Sequence, residues 1–327
     1  MHRQDMTVAD LRSVTGPKGR MATVVRSRSS VQTRRETLAF YAFIAPWLVG
    51  FAVLTAGPLV ASFVLSFTSW DMASPPLFVG LGNYIALFTV DKLLGTSLVV
   101  TLIWVVVGLP LRLIVAYLAA LALNQRLPAI SFFRTVFYLP AVVSGVAVAL
   151  LWVWVLQPQY GLLNSFLRLV GIQGPAWLGS EEWALPGFIV MSLWSTGGAM
   201  VIFLAGLQSV PTELYEAAEI DGAGALAKFF RVTIPLTTPV ILFNLVIGLI
   251  QSFQVFTQAY VMTNGGPNNA TLFYVLYLYR VAFNYHQMGY ASAMAWILFL
   301  IVLACTLLVF RSSARWVYYE GDAGGRR

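Results

Sequence analysis

The apolar positions of this chain fall in long runs, not in the alternation of a half-buried strand or the one-sided stripe of a surface helix. The first run, "LAFYAFIAPWLVGFAVLTAGPLVASFVLSF", extends from about Leu38 to Phe67. Five more are read at about Gly95–Leu123, Val136–Leu156, Ala184–Leu207, Pro239–Met262 and Gly289–Phe310. Each can cross roughly 30 Å of hydrocarbon at about 1.5 Å of rise per residue. Hydrocarbon offers no partner to a backbone N–H or C=O, so such runs must be helices that pair their own backbone. The pattern predicts an all-α integral membrane protein with six transmembrane helices. The first run exceeds the roughly 7–15-residue core of a cleaved signal peptide and is read as a retained span.

The polar segments set the organisation. Residues 1–37 carry eight Lys/Arg and no apolar periodicity, and are expected to be a disordered cytoplasmic tail. Residues 38–311 form one membrane domain, with a long loop at 208–238, and residues 312–327 form a second cytoplasmic tail. Composition agrees: 59 % of the 327 residues are hydrophobic and 10 % charged, against about 25 % charged in an ordinary soluble domain.

The net charge of +7 changes meaning once it is located. Sixteen Lys/Arg fall in the N-terminal tail, the loops at 124–135 and 208–238 and the residues after 310, whereas only Lys92, Arg168 and Arg280 fall in the opposite loops. That asymmetry puts both termini in the cytoplasm and makes membrane lipid, not nucleic acid, the expected partner.

Several chemistries are missing. No G-x-x-x-x-G-K-[ST] occurs, so the chain is not itself a P-loop ATPase. His2 and His286 are the only histidines and the single Cys305 lies in an apolar run, which leaves no metal-ligand cluster and assigns Cys305 to packing. No catalytic acid, base or nucleophile cluster stands out, and a non-enzymatic role is expected. No Asp or Glu lies within the six spans, where proton- and sodium-coupled carriers usually bury one. A secondary solute carrier with carbonyl-coordinated sodium stays as an alternative.

One cytoplasmic segment stands apart. In "ELYEAAEIDGAGALAKFFRVTIPLTTP", Glu213, Glu216, Glu219 and Asp221 fall within nine residues of a chain that has 13 acids in all. This wording resembles the EAA loop of importer-type ABC permeases, and its continuation resembles the carbohydrate-uptake subfamily, whose usual form is EAA-x-x-DGA-x-x-x-x-x-F-x-x-I-x-L-P. Val232 and Ile234 stand for the usual isoleucine and leucine. "FVGLGNY", "FFRTVFYLPAVVS", "GLLNSFL" and "TNGGP" belong to the same set, and the resemblance spans roughly residues 38–311.

The chain is thus similar to the maltose-type first permease of a binding-protein-dependent sugar importer. The resemblance implies a type I ABC importer transmembrane domain with cytoplasmic coupling helices. It implies a heterodimer with a second permease subunit, two ATP-binding subunits that carry ATP and Mg, an extracytoplasmic solute-binding protein and a carbohydrate substrate. An importer for another polar solute, such as glycerol phosphate, is the nearest alternative. In such proteins the loop lies in a cleft of the ATPase. Glu213 and Glu216 share a face for basic groups, Ala217 and Ala218 permit close approach, Asp221 is a further acidic coupling residue, and Gly222 and Gly224 allow a turn between two short helices. Pro235 is expected to end the loop at the start of the fifth span.

Candidate pathway residues come from two sources. In the fifth run Asn244, Gln251 and Gln258 are seven apart, with Gly248 and Val255 on the same stripe and Ser252 and Gln254 beside it. Amides offer donors and acceptors to sugar hydroxyls; the same stripe would equally serve a helix–helix contact with the partner permease. The resemblance places maltose-type binding positions at or near Trp194, Ser195, Gly198, Gly248, Gln251, Ser252 and Val255. Trp194 is either a stacking platform for a pyranose or a packing residue. Arg112 lies mid-span, where a charge costs about 2.5–3.5 kcal/mol on insertion scales. It either contacts an acidic substrate or is satisfied structurally, by carbonyls freed at Pro110 or by a carboxylate of the partner subunit.

Overall fold

A computed structural model of the chain describes residues 30–125 and 127–318. Most of the expected N-terminal tail, the end of the C-terminal one and Arg126 lie outside the described residues. Contacts divide the chain into Met1–Pro58 and Leu59–Arg327. The described part of the first unit is helical: α1 (Ser30–Phe51) followed by a π turn at Ala52–Ala56. Helix therefore begins eight residues before the apolar run, within the segment expected to be disordered.

After α2 (Gly57–Leu65) a short antiparallel hairpin pairs β1 (Thr68–Ser69) with β2 (Leu77–Phe78). The second unit continues with α3 (Gly82–Thr89), α4 (Lys92–Leu123), α5 (Ile130–Val142), α6 (Gly145–Val155), α7 (Leu162–Leu169), α8 (Glu181–Trp194) and α9 (Gly197–Gln208). Then come α10 (Thr212–Ile220), α11 (Ala225–Phe253), α12 (Thr257–Met262), α13 (Tyr274–Tyr279) and α14 (Met288–Ser313).

Among the described residues, four helical stretches are long and apolar enough to span hydrocarbon: Arg34–Leu65, α4, α11 and α14. The number is six if each bent pair, α5 with α6 and α8 with α9, counts as one span. The six apolar runs thus survive, but not as six uninterrupted helices.

The run read as Val136–Leu156 is broken at Val143–Ser144, where α5 and α6 meet at 100°. Both residues of the break are extended (ψ 139° and 136°). Pro140 just upstream lacks the N–H that would bond one turn back, which weakens the last turn of α5. The run read as Ala184–Leu207 bends by 47° between α8 and α9. There Ser195 leaves helical geometry (φ −93°, ψ 33°) ahead of the flexible pair Gly197–Gly198.

The fifth span differs most. It was expected to start at Pro239 and run to Met262, with Pro235 closing the loop before it. Instead α11 begins at Ala225, passes both prolines and stops at Phe253. A π turn at Phe229–Thr233, in which the Ile234 N–H bonds to Phe229 O, widens the helix just ahead of Pro235. The widened turn makes room for a residue that can neither donate nor tolerate a close preceding carbonyl.

The core is apolar and aromatic, with Phe188, Phe253, Phe273, Tyr274, Leu276 and Met294 fully buried. A second cluster joins Ala116 and Ala120 of α4 to Met200, Phe203 and Leu207 of α9. Outward faces keep large apolar side chains exposed, among them Leu102, Val106, Ile114 and Leu118 of α4 and Leu303, Leu307 and Leu308 of α14. Such a surface suits hydrocarbon rather than water. Asp91 locks one end of the bundle. Its Oδ1 caps α4 at the Leu94 N–H (3.0 Å), and its Oδ2 accepts from Tyr277 (2.7 Å) and Tyr290 (3.0 Å) on α13 and α14.

Candidate functional site

The three helix interruptions converge. A cavity of about 420 Å³ is lined by Val143 and Gly145 at the first break, Ser195, Thr196 and Gly198 at the second, and Gln258 of α12 beyond the third. α4 adds Arg112, and α11 adds Asn244, Ile247, Gly248 and Gln251. A neighbouring cavity of about 270 Å³ shares Arg112, Val148, Ser195, Gln251 and Gln258, and adds Trp104, Ser192, Gln254 and Val255. The larger volume falls in the roughly 300–1,000 Å³ range of ligand pockets. Non-helical backbone at membrane depth is tolerated where it lines a cavity, and here all three breaks do so.

The lining is polar but carries one charge. Asn244 donates to Val240 O (3.1 Å), which leaves its side-chain oxygen open. Gln251, Gln254, Gln258 and Arg112 make no side-chain hydrogen bond among the described residues. The expectation that carbonyls freed at Pro110 satisfy Arg112 therefore fails. Its guanidinium lies instead over Gly248: a Cβ built there would sit 3.3 Å from Arg112 Nη2 and 2.5 Å from Leu109 Cδ1. Gly248 is thus the position at which α11 admits the arginine head group.

The acidic loop builds a second feature. α10 ends in a Schellman turn, with the Ala223 N–H bonded to Ala218 O (2.8 Å) and the Gly222 N–H to Glu219 O (2.9 Å). Gly222 takes φ +78°, which favours glycine. Glu219 pairs with Lys228. Glu213, Glu216, Ala217 and Asp221 are exposed, and the three acids among them have no side-chain partner among the described residues. Ala218 is half-buried, and Ile220, Leu226 and Phe230 expose apolar surface beside the acids.

Hydroxyls tie this loop to the bundle. Tyr215 of α10 bonds Thr233 (3.0 Å), and Thr237, one turn further along α11, bonds Tyr117 of α4 (2.8 Å). α11 therefore carries Thr233 at the loop and Asn244 at the cavity, about 16 Å apart by helical rise.

The structure brings most of the expected pathway residues together: Arg112, Ser195, Gly198, Asn244, Gly248, Gln251 and Gln258 line the larger cavity, and Gln254 and Val255 the smaller. Two lie elsewhere. Trp194 ends α8 and faces a different pocket with Val115, Val136 and Phe137, edge-on to Trp152 at 6.2 Å. Ser252 is buried, about 80° round α11 from Asn244 at 100° per residue. Gln258 arrives on a separate helix rather than as the next member of one stripe.

Trp104 was missed. In a regular helix it would stand about 80° from Arg112, but the π turn at Trp104–Gly108 adds one residue to a turn and returns the pair to within about 20°.

Residues 114–317 match the family described as binding-protein-dependent transport system inner membrane component. The probable ABC transporter permease protein YesP of Bacillus subtilis is 44 % identical, over 90 % of this chain and 96 % of its own. The arabinooligosaccharides transport system permease protein AraP of the same organism is 33 % identical, over 84 % and 88 %. Among solved structures, a bacterial ABC transporter involved in the import of the acidic polysaccharide alginate matches with a TM-score of 0.73 at 23 % identity, over 87 % of this chain and 98 % of that one. By sequence and by fold, the chain belongs to the family of inner-membrane permease components of binding-protein-dependent ABC transport systems.

Proposed function

We propose that this chain forms half of the membrane pathway of an ATP-driven sugar importer, with α10 and the Gly222 turn as its contact to the motor. A second permease subunit completes the pathway. Two separate subunits hold ATP and Mg and hydrolyse the nucleotide, and an extracytoplasmic binding protein delivers the solute. Both termini lie in the cytoplasm, a placement supported by the distribution of Lys and Arg. Transport proceeds by alternating access, with no covalent chemistry on the cargo.

One observation carries the reading: α11 is a single helix whose Thr233 is bonded to α10 and whose Asn244, Gly248 and Gln251 line the cavity. A displacement of α10 must move that helix, and with it the amide wall of the cavity. The exposed Glu213, Glu216 and Asp221 offer charge-assisted hydrogen bonds to basic groups on the motor, while Ile220, Leu226 and Phe230 supply apolar contact. Neutral amides without internal partners suit sugar hydroxyls, each amide serving as donor and acceptor. The match to an arabinooligosaccharide permease supports a saccharide cargo.

The test is Glu216→Lys in the assembled complex. Charge reversal at the dock should leave membrane insertion and subunit association intact and reduce ATP-driven uptake by tenfold or more. Normal uptake by a normally assembled complex would remove α10 from the coupling path.

A further inference from the structure

We infer that the cargo is an anionic saccharide, and that Arg112 is the residue that reads its acidic group. The inference rests on the sugar-import reading above and narrows it.

Among the described residues, Arg112 is the only ionisable one that lines either cavity. Every other polar side chain there is neutral, an amide, a hydroxyl or the indole N–H of Trp104, and no Asp or Glu among the described residues neutralises the guanidinium. A structural arginine in a membrane helix is ordinarily held by carboxylates or carbonyls. This one is held by none of the described residues, and it lines a space large enough for a sugar unit, to which its guanidinium can offer N–H donors. Its position is central. It belongs to both cavities and lies against Gly248, which shares one stripe of α11 with Asn244 and Gln251. A saccharide whose hydroxyls engage those amides would bring a ring substituent within reach of the planar fork.

The fork matches a carboxylate, sulfonate or phosphate bidentately, and a neutral hydroxyl gains less from it.

The experiment uses the complete importer in proteoliposomes with matched probe pairs: digalacturonate and its dimethyl ester, a 6-sulfo-hexoside and the parent hexoside, and a hexose 6-phosphate and the hexose. ATP-driven uptake is measured for the native chain, R112Q and R112K, and co-purification of the second permease is followed in parallel. The expected result is import of the acidic member of at least one pair in preference to its neutral twin. R112Q should then lower the acid-to-neutral uptake ratio by tenfold or more, and R112K, which keeps the charge, by less than threefold.

Several results would overturn the inference. One is an R112Q chain that loses acidic and neutral uptake in equal proportion. Another is an R112Q chain that no longer co-purifies with the second permease while R112K does, which would place the counter-charge on that subunit. Import of neutral members alone would end the anionic assignment and leave the sugar-import reading standing. Absence of ATP-driven uptake for every saccharide would remove both.

Discussion

The two ends of α11 treat their polar groups in opposite ways. Towards the loop, hydroxyls are all engaged: Thr233 with Tyr215, Thr237 with Tyr117, and Thr238 accepting the Tyr318 N–H at 2.9 Å. Towards the cavity, Gln251 and, just past the helix, Gln254 have no side-chain partner among the described residues. Both amides are exposed to open space and so go unpaired within the chain at little cost, whereas each of the loop-end hydroxyls is tied to another element. The contrast separates two tasks on one helix. In the reading proposed above, the paired end passes on a displacement and the unpaired end stays open to the sugar.

Filling the open end should have the largest effect. A leucine at Gly248 would drive its side chain against Leu109 and the Arg112 guanidinium, where even a Cβ would approach to 2.5 Å and 3.3 Å. Gly248→Leu is expected to abolish uptake above background, with co-purification of the partner subunits retained; that combination is read from paired uptake and pull-down measurements. Full uptake by Gly248→Leu would place the solute path away from this cavity.

Removing one amide should cost less. Gln251→Leu takes away a donor and an acceptor of similar bulk, worth about 0.5–1.5 kcal/mol for a hydrogen bond to neutral groups. It should therefore raise the sugar concentration for half-maximal uptake by about two- to tenfold. A maximal rate that falls while that concentration stays fixed would make Gln251 a packing residue rather than a contact.

At the paired end the readout changes from affinity to coupling. Tyr215→Phe deletes the 3.0 Å bond to Thr233 and nothing else of comparable size. About 1 kcal/mol of lost connection should appear as roughly a fivefold fall in solute moved per ATP hydrolysed, with the hydrolysis rate maintained. An unchanged ratio would mean that α10 transmits its motion through backbone and apolar packing alone.

Legibility in the sequence followed the same division. The six apolar runs and the Gly222 turn are local: each depends on hydropathy or on one residue's φ, and both were readable. Asn244, Gly248 and Gln251 were readable because they share one uninterrupted stretch of helix.

The breaks were not readable. Val143 and Ser144 hold neither Gly nor Pro, yet they turn the chain by 100°, since what stabilises an extended pair there is packing around a cavity formed by distant segments. A π turn hid Trp104 by shifting the helical phase, although Pro110 stands two residues beyond it as Pro235 stands beyond the later one. Pro235 misled because a proline that usually opens a helix is here absorbed by a widened turn in the middle of one. Trp194 and Ser195 show how fine the failure is: adjacent residues at a break face different spaces, and a motif alignment selects both.

The smallest effect tests whether the paired end is a rigid connection or only a set of bonds. Tyr117→Phe removes the 2.8 Å bond to Thr237, but Thr237 keeps its contacts to Thr233 O (2.8 Å) and Ile234 O (3.1 Å) within its own helix. The tyrosine ring also stays packed edge-on against Phe203 at 5.1 Å. With no polar group orphaned on α11 and the aromatic contact preserved, uptake should fall by less than about twofold. Thr237→Val in the Tyr117→Phe background should add almost nothing, because the interaction is already gone. A double-mutant cycle with coupling well above 1 kcal/mol would mean that this hydroxyl pair, rather than the length of α11, sets the geometry between loop and cavity.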